Sequence, residues 1–136
     1  MERYEKLSPE LAEKLRAIVG KERFFMGEDI DPNYSHDEMP IYGKKMPEAV
    51  CEVESTMEVS EILKLCNQHR IPVTPRGAGT GLVGGAVPLL GGVVISTVRM
   101  NKILGYDMKN LCVRTQVGVL LQDLAADATA HGLFYP

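Results

Sequence analysis

Between Pro75 and Gly92 the chain reads Pro75-Arg76-Gly77-Ala78-Gly79-Thr80-Gly81-Leu82-Val83-Gly84-Gly85-Ala86-Val87-Pro88-Leu89-Leu90-Gly91-Gly92. Five glycines fall within the nine residues 77–85. Glycine tolerates positive φ and lets another group approach the backbone closely, at a cost in chain entropy. Placed directly after a strand-like run, this density predicts a loop whose exposed N–H groups face an anion. Successive N–H groups can form such a nest without any helix. The anion that suits a loop of this length is the pyrophosphate of a dinucleotide.

Two familiar phosphate loops are excluded by context. Gly79-x-Gly81-x-x-Gly84 fits the Rossmann expression. That loop, however, opens a helix whose N-terminus meets the pyrophosphate. Here Gly85, Pro88, Gly91 and Gly92 leave no room for a helix, and a βαβ unit already precedes the loop. No Gly-Lys-Ser/Thr follows, so the loop is not a Walker A motif.

The elements that must position the loop are legible around it. Ser8-Pro9-Glu10 predicts a capped helix with Leu11, Leu15 and Ile18 on one face, closed by Gly20. Residues 26–46 are rich in turn formers and read as irregular. Ala49–Val53 reads as a short buried strand. Ser55-Thr56-Met57-Glu58 is a capping-box pattern opening a helix that ends near His69-Arg70. Ile71–Pro75 reads as a second strand, parallel to the first across the helix. Gly92–Thr97 is a third strand, continuously apolar as in a covered parallel sheet. Lys102–Tyr106 and Leu111–Val117 flank Asp107-Met108-Lys109-Asn110 as a hairpin. A last helix spans about Leu120 to Ala130, ended by His131-Gly132. The fold class expected is α+β: a small parallel βαβ sheet with flanking helices, plus an antiparallel hairpin that starts a second sheet.

The bulk numbers set limits. The chain has 136 residues, 24% charged, with a formal net charge of −3. It fits one ordinary domain, and its scattered Lys and Arg predict no nucleic-acid partner. Cys51, Cys66 and Cys112 form no CxxC pair and no Cys/His cluster, so they read as buried reduced thiols in a cytoplasmic protein and no metal is expected. Met1–Lys6 carry no apolar stretch, which predicts no secretory leader. Gly77 to Val98 is free of charge over 22 residues, but seven are glycine and Pro88 interrupts them. No transmembrane segment is expected there.

The loop itself, with Gly91-Gly92-Val93-Val94 after it, resembles the pyrophosphate loop of FAD-linked oxidases of the vanillyl-alcohol oxidase/p-cresol methylhydroxylase type. Within that family it is most similar to the D-lactate dehydrogenase and glycolate oxidase catalytic-subunit branch. Tyr34-Ser35-His36-Asp37-Glu38 resembles the family's lead into its first strand, and Arg99-Met100-Asn101-Lys102-Ile103 its stretch after the third. Gly132-Leu133-Phe134-Tyr135-Pro136 resembles the point where the family continues into another FAD-contacting loop. The likeness covers nearly the whole chain but only the family's N-terminal portion. One departure is visible: Gln116-Val117-Gly118-Val119 stands where the family commonly has Glu-Pro-Gly-Val.

The resemblance implies that backbone amides of about Arg76, Gly77, Ala78, Gly79, Thr80 and Gly81 hold the FAD pyrophosphate. It further implies that the Thr80 hydroxyl donates, and that Gly84 and Gly85 let the chain pass close to the cofactor. Arg76 has two readings: a structural arginine paired with an acid of the same domain, or a direct phosphate contact. Tyr34, Tyr42 and Tyr106 read as packing rather than flavin-lining residues. His36-Asp37-Glu38 reads as a turn with exposed polar groups, because three adjacent residues cannot converge on one ion. His69 and His131 sit at helix C-termini and read as structural.

No nucleophile–base set or carboxylate pair is recognisable, so no catalytic residue is assigned. Residues 1–46 are expected to form an N-terminal helix and lead-in, and residues 47–136 the N-terminal part of an FAD-binding domain. The parent activity implied is oxidation of a 2-hydroxy acid. Electrons would pass to an electron-transferring flavoprotein or a quinone. The expected partners are the remainder of the FAD and substrate domains or a second subunit, with self-association through an unpaired sheet edge. The isolated chain is expected to be inactive. The competing expectation is a truncated or split non-catalytic module that binds a partner chain and does not hold FAD alone.

Overall fold

The computed structural model describes residues 4–135. Met1–Arg3, where the leader reading begins, and Pro136, the end of the proline-containing tail, lie outside them.

Helix α1 runs Pro9–Val19. The Ser8 hydroxyl oxygen accepts from the Leu11 N–H at 3.3 Å, Pro9 occupies the first turn, and Gly20 leaves the helix at φ +87°. Leu11, Leu15 and Val19 recur every four residues and are buried on one face. Helix α2 runs Thr56–Gln68. Ser55 accepts from the Glu58 N–H at 3.2 Å, while the Glu58 carboxylate reaches back to the Glu54 N–H at 2.7 Å, one residue earlier than an ideal capping box.

The strands are β1 (Phe24–Met26), β2 (Ala49–Glu52), β3 (Val73–Arg76) and β4 (Val93–Ser96), in the sheet order β1-β2-β4-β3. The strands β2, β4 and β3 run parallel, and β1 joins antiparallel to β2. The first two predicted strands are therefore parallel, as expected, but β4 is inserted between them. Strand β1 is an addition to the expected topology. Alternation explains why the parallel strands read as apolar throughout. Ala49, Cys51, Val93 and Ile95 face the core shared with α1 and α2, while Val50 and Val94 pack on the other face against Ile30.

The second sheet is the hairpin of β5 (Ile103–Asp107) and β6 (Cys112–Thr115), with helix α3 (Leu121–Ala130) beside it. The Tyr106 hydroxyl donates to Asp127 at 2.6 Å, and its ring stacks on His131 at 4.3 Å, clasping hairpin to helix. Gly118 joins this unit to the parallel sheet. A Cβ there would sit 1.9 Å from the Thr97 carbonyl oxygen, so glycine serves close approach rather than positive φ.

Burial pushes the thiols of Cys51 and Cys66 up to about 12 and about 11, leaving them protonated and unreactive. Cys112 corrects the expectation of three buried thiols: it lies exposed on β6.

One ion pair crosses from the lead-in to α2. The Arg23 guanidinium donates to both Glu58 oxygens at 2.8 and 3.0 Å, and to the Glu52 carbonyl. Partial burial works to raise the Glu58 carboxyl. The Arg23 hydrogen bonds and the Glu54 N–H outweigh it and hold the group below its ordinary range. A depressed carboxyl stabilises the fold above its unfolded pKa, about 4.3, and loses that contribution as pH falls through the lower folded value. Glu58→Gln is accordingly expected to be less stable than wild type at neutral pH. It should also lose less stability on acidification below about pH 5, read as urea midpoints across the pH series. Parallel pH profiles for the two proteins would refute the coupling.

Candidate functional site

The glycine loop leaves the parallel sheet at the carboxyl end of β3, the side on which open α/β sheets form ligand crevices. Arg76, the last residue of β3, is paired with Ser96, and its carbonyl accepts from the Thr97 N–H at 2.9 Å. The loop returns through buried Val87 and Pro88 and closes on Gly91 and Gly92, at φ +73° and +69°. Glu48 pins that end: one carboxylate oxygen accepts from the Gly92 N–H at 3.3 Å, the other from the Leu7 N–H at 2.7 Å.

Three side chains form a floor beneath the loop. Arg76 is buried and lies under Gly79, whose φ is +79°; a Cβ at Gly79 would fall 2.0 Å from an Arg76 guanidinium nitrogen. Tyr42 lies under Gly84, at φ +73°, where a Cβ would fall 2.4 Å from the ring. Asp37 lies under Gly81, with Oδ2 at 3.7 Å from the Cβ position. The lead-in also binds the loop through its backbone: the Glu38 N–H donates to the Gly81 carbonyl at 3.1 Å. Positive φ is thus needed at Gly79 and Gly84, while Gly77, Gly81 and Gly85 have ordinary φ.

The two readings of Arg76 meet a third arrangement. Among the described residues it makes no ion pair with an acid. Its Nη1 donates to the His36 carbonyl at 2.6 Å, more weakly to that of Ala86 at 3.5 Å, and the guanidinium lies 5.4 Å from the centre of the Tyr34 ring. Tyr34 in turn donates to the buried Ser96 hydroxyl at 3.1 Å. Burial raises the Tyr34 phenol above its ordinary range, which the Ser96 hydrogen bond partly offsets, so it stays a neutral donor.

The loop is rich in unused donors. Among the hydrogen bonds of the described residues, none has as donor an N–H from Gly77 to Ala86. Most of these residues are exposed. Two clefts meet at Gly77 and Ala78. One, of about 180 Å³, is bounded by Asn33, Tyr34 and Arg76; the other, of about 240 Å³, by Asn101, Gly118 and Asp123. A row of fixed neutral donors above a buried guanidinium is a fitting cradle for a dianion.

Arg76, Gly77, Ala78, Gly79, Thr80, Gly81, Gly84 and Gly85 therefore share one loop, with Arg76 below it. Asp37 corrects the expectation of an exposed polar turn at 36–38, since it is only 5% exposed. Its role had no local signal in the sequence. Tyr34 lies half-buried beside the Arg76 guanidinium at the edge of one cleft, and Tyr42, 45% exposed, lies against Gly84. His131 caps α3 as expected. Among the described residues there is no group of three His, Cys, Asp or Glu able to hold a metal ion, and no helix is long and apolar enough to cross a membrane.

A family model described as "FAD binding domain" matches residues 47–136. The chain is 56% identical over 133 residues to D-lactate dehydrogenase of Anaerostipes hadrus, covering 98% of this chain and 28% of that protein. It is 39% identical over 130 residues to glycolate oxidase subunit GlcD of Bacillus subtilis, covering 96% and 27%. The chain thus spans little more than a quarter of the length of these curated relatives. Among solved structures, alkyldihydroxyacetonephosphate synthase superposes with a TM-score of 0.80 at 22% identity, over 97% of this chain and 26% of the other. Substrate-bound p-cresol methylhydroxylase superposes with a TM-score of 0.72 at 23% identity, over 90% and 24%. At those identities the likeness is one of fold.

Proposed function

Because this chain belongs to the FAD-binding domain family, we propose that it forms the pyrophosphate-holding portion of a flavin-dependent 2-hydroxy-acid dehydrogenase or oxidase of the D-lactate and glycolate type. The observation that carries the reading is the run of N–H groups from Gly77 to Ala86 without acceptors, held over Arg76. In this reading the amides of Gly77, Ala78, Gly79, Thr80 and Gly81 bind the phosphate oxygens and the Thr80 hydroxyl adds a donor. Arg76 supplies positive charge from beneath the loop. Gly84 and Gly85 keep the returning strand of the loop close. When bound, FAD supplies the electron-accepting chemistry, and the protein contributes position and electrostatics. The substrate class follows the names of the relatives, a D-lactate dehydrogenase and a glycolate oxidase subunit. The word "subunit" in the second name supports a partner chain in the complete enzyme. The acceptor we propose is an electron-transferring flavoprotein or a quinone. The acid/base residues of the reaction lie on other parts of that enzyme.

A second reading is that this portion holds FAD only together with a partner chain. It is favoured by exposed Leu111, Val117, Leu121 and Phe134 around the hairpin and α3, apolar side chains that a partner chain would cover. The visible spectrum of the purified chain separates the two. A stoichiometric yellow flavin band supports the first reading. A colourless chain that turns yellow only with the rest of a homologous enzyme supports the second. Absence of flavin in both preparations overturns the FAD assignment.

A further inference from the structure

Asp37 is buried beneath a loop built to receive an anion, which is an unexpected place for a carboxylate. Its Oδ1 accepts from the Met39 N–H at 3.0 Å. Its Oδ2 is buried and has no hydrogen-bond partner, the only such side-chain atom among the described residues, and it points at Gly81. A buried polar atom without a partner costs about 1–3 kcal/mol, more for a charged group, and a native one calls for an explanation. The preceding residue, His36, gives its carbonyl to the Arg76 guanidinium. An acidic and a basic side chain therefore lie under neighbouring positions of the loop, Asp37 at Gly81 and Arg76 at Gly79, without forming an ion pair with each other.

We propose that Asp37 is the counter-charge of the glycine loop, a specificity-determining residue that makes the loop select a dinucleotide over small inorganic phosphates. The inference rests on the reading that the loop holds a pyrophosphate. With Arg76 alone below it, the loop would attract any multiply charged anion. With Asp37 present the floor is close to neutral, and the attraction left is that of the N–H dipoles. Inorganic pyrophosphate carries more negative charge than the internal pyrophosphate of a dinucleotide, so Asp37 penalises it more. A dinucleotide recovers the loss through contacts of its other groups. Of the remaining acids near the loop, Glu38, Asp31 and Asp123 are exposed and screened by water, while half-buried Glu48 at the loop's returning end is held by the Gly92 and Leu7 N–H groups. His36 is tied to the Ser35 hydroxyl through Nδ1 at 3.0 Å.

The test follows the backbone amides of residues 77–86 by NMR while inorganic pyrophosphate or FAD is titrated into wild type, Asp37→Asn and Asp37→Ser. Both variants are expected to bind pyrophosphate about tenfold more tightly than wild type, the scale of one unit charge at this range in a protein environment, with a smaller gain for FAD. Damage to the loop would instead weaken binding, so a gain is not mimicked by misfolding. Equal or weaker pyrophosphate binding by a folded variant overturns the proposal and leaves the loop reading intact. Wild type alone supplies a second check. Its loop amides should respond to FAD at concentrations where pyrophosphate leaves them unmoved, and equal affinity for the two overturns the proposal. Loop amides of every protein unmoved by either ligand would overturn both the proposal and the reading that this chain holds FAD by itself.

Discussion

Gly79→Ala is expected to lower FAD affinity by about 100-fold, equivalent to about 2.8 kcal/mol. Two effects combine. The residue sits at φ +79°, where an L side chain is strained by roughly 1–2 kcal/mol. Its new methyl would also fall 2.0 Å from the Arg76 guanidinium, which cannot yield without losing its bond to the His36 carbonyl. The loop or its floor must therefore move, and the row of N–H groups moves with it. Flavin fluorescence titration measures the loss. Gly77→Ala and Gly85→Ala are the controls, because neither glycine has positive φ and neither Cβ would meet an atom within 4 Å. Those variants should fold as wild type. An affinity for Gly79→Ala within about threefold of wild type would remove Gly79 and Arg76 from the binding apparatus.

Gly92→Ala is expected to cost about 3 kcal/mol of stability and to lower the melting temperature by roughly 10 °C. Gly92 combines φ +69° with a backbone collision: a Cβ would lie 2.2 Å from the Pro72 carbonyl oxygen. That oxygen accepts from the Val93 N–H at 2.8 Å, where β4 meets the start of β3. No side-chain rotation relieves the contact, so the two strands must separate at their amino ends. Gly132→Ala isolates the conformational part. It ends α3 at φ +73°, close to the +69° of Gly92, with nothing within 4 Å of its Cβ position, so about 1 kcal/mol is expected there. Paired thermal melts decide the matter. If Gly92→Ala melts no lower than Gly132→Ala, the close approach of β4 to Pro72 contributes nothing.

The contrast between these glycines shows where sequence reading stops. The glycine-rich loop was visible as a unit, but the residues that need glycine were not. Gly79 and Gly84 need it because Arg76 and Tyr42 lie beneath them, and Gly118 because Thr97 presses against it. The helices were legible almost to the residue, since Ser8, Pro9, Gly20 and Ser55 act on the backbone within four positions of themselves. Strand β1 was not. Three residues between 3-10 turns carry no periodicity, and Phe24–Met26 become a strand only by pairing with Cys51–Ala49.

Asp37 and Arg76 mark the same limit at the site. An aspartate among turn formers has the local chemistry of a surface residue, and only the loop some 40 positions later buries it. In sequence Arg76 reads as the partner of an acid or of a phosphate, yet its partners here are carbonyl oxygens and the Tyr34 ring, which no sequence pattern announces. The sequence by itself determined the capped helices, the buried strands, the glycine loop after β3 and, through its motif, the FAD-binding family. Those features depend on backbone preferences and periodicity over a few neighbouring residues. The tertiary structure alone decided the insertion of β4 between β2 and β3, the addition of β1, and the charged floor under the loop. Each of these depends on which distant segment displaces water from a given face, and that balance of burial and hydrogen bonding is struck only when the whole chain packs.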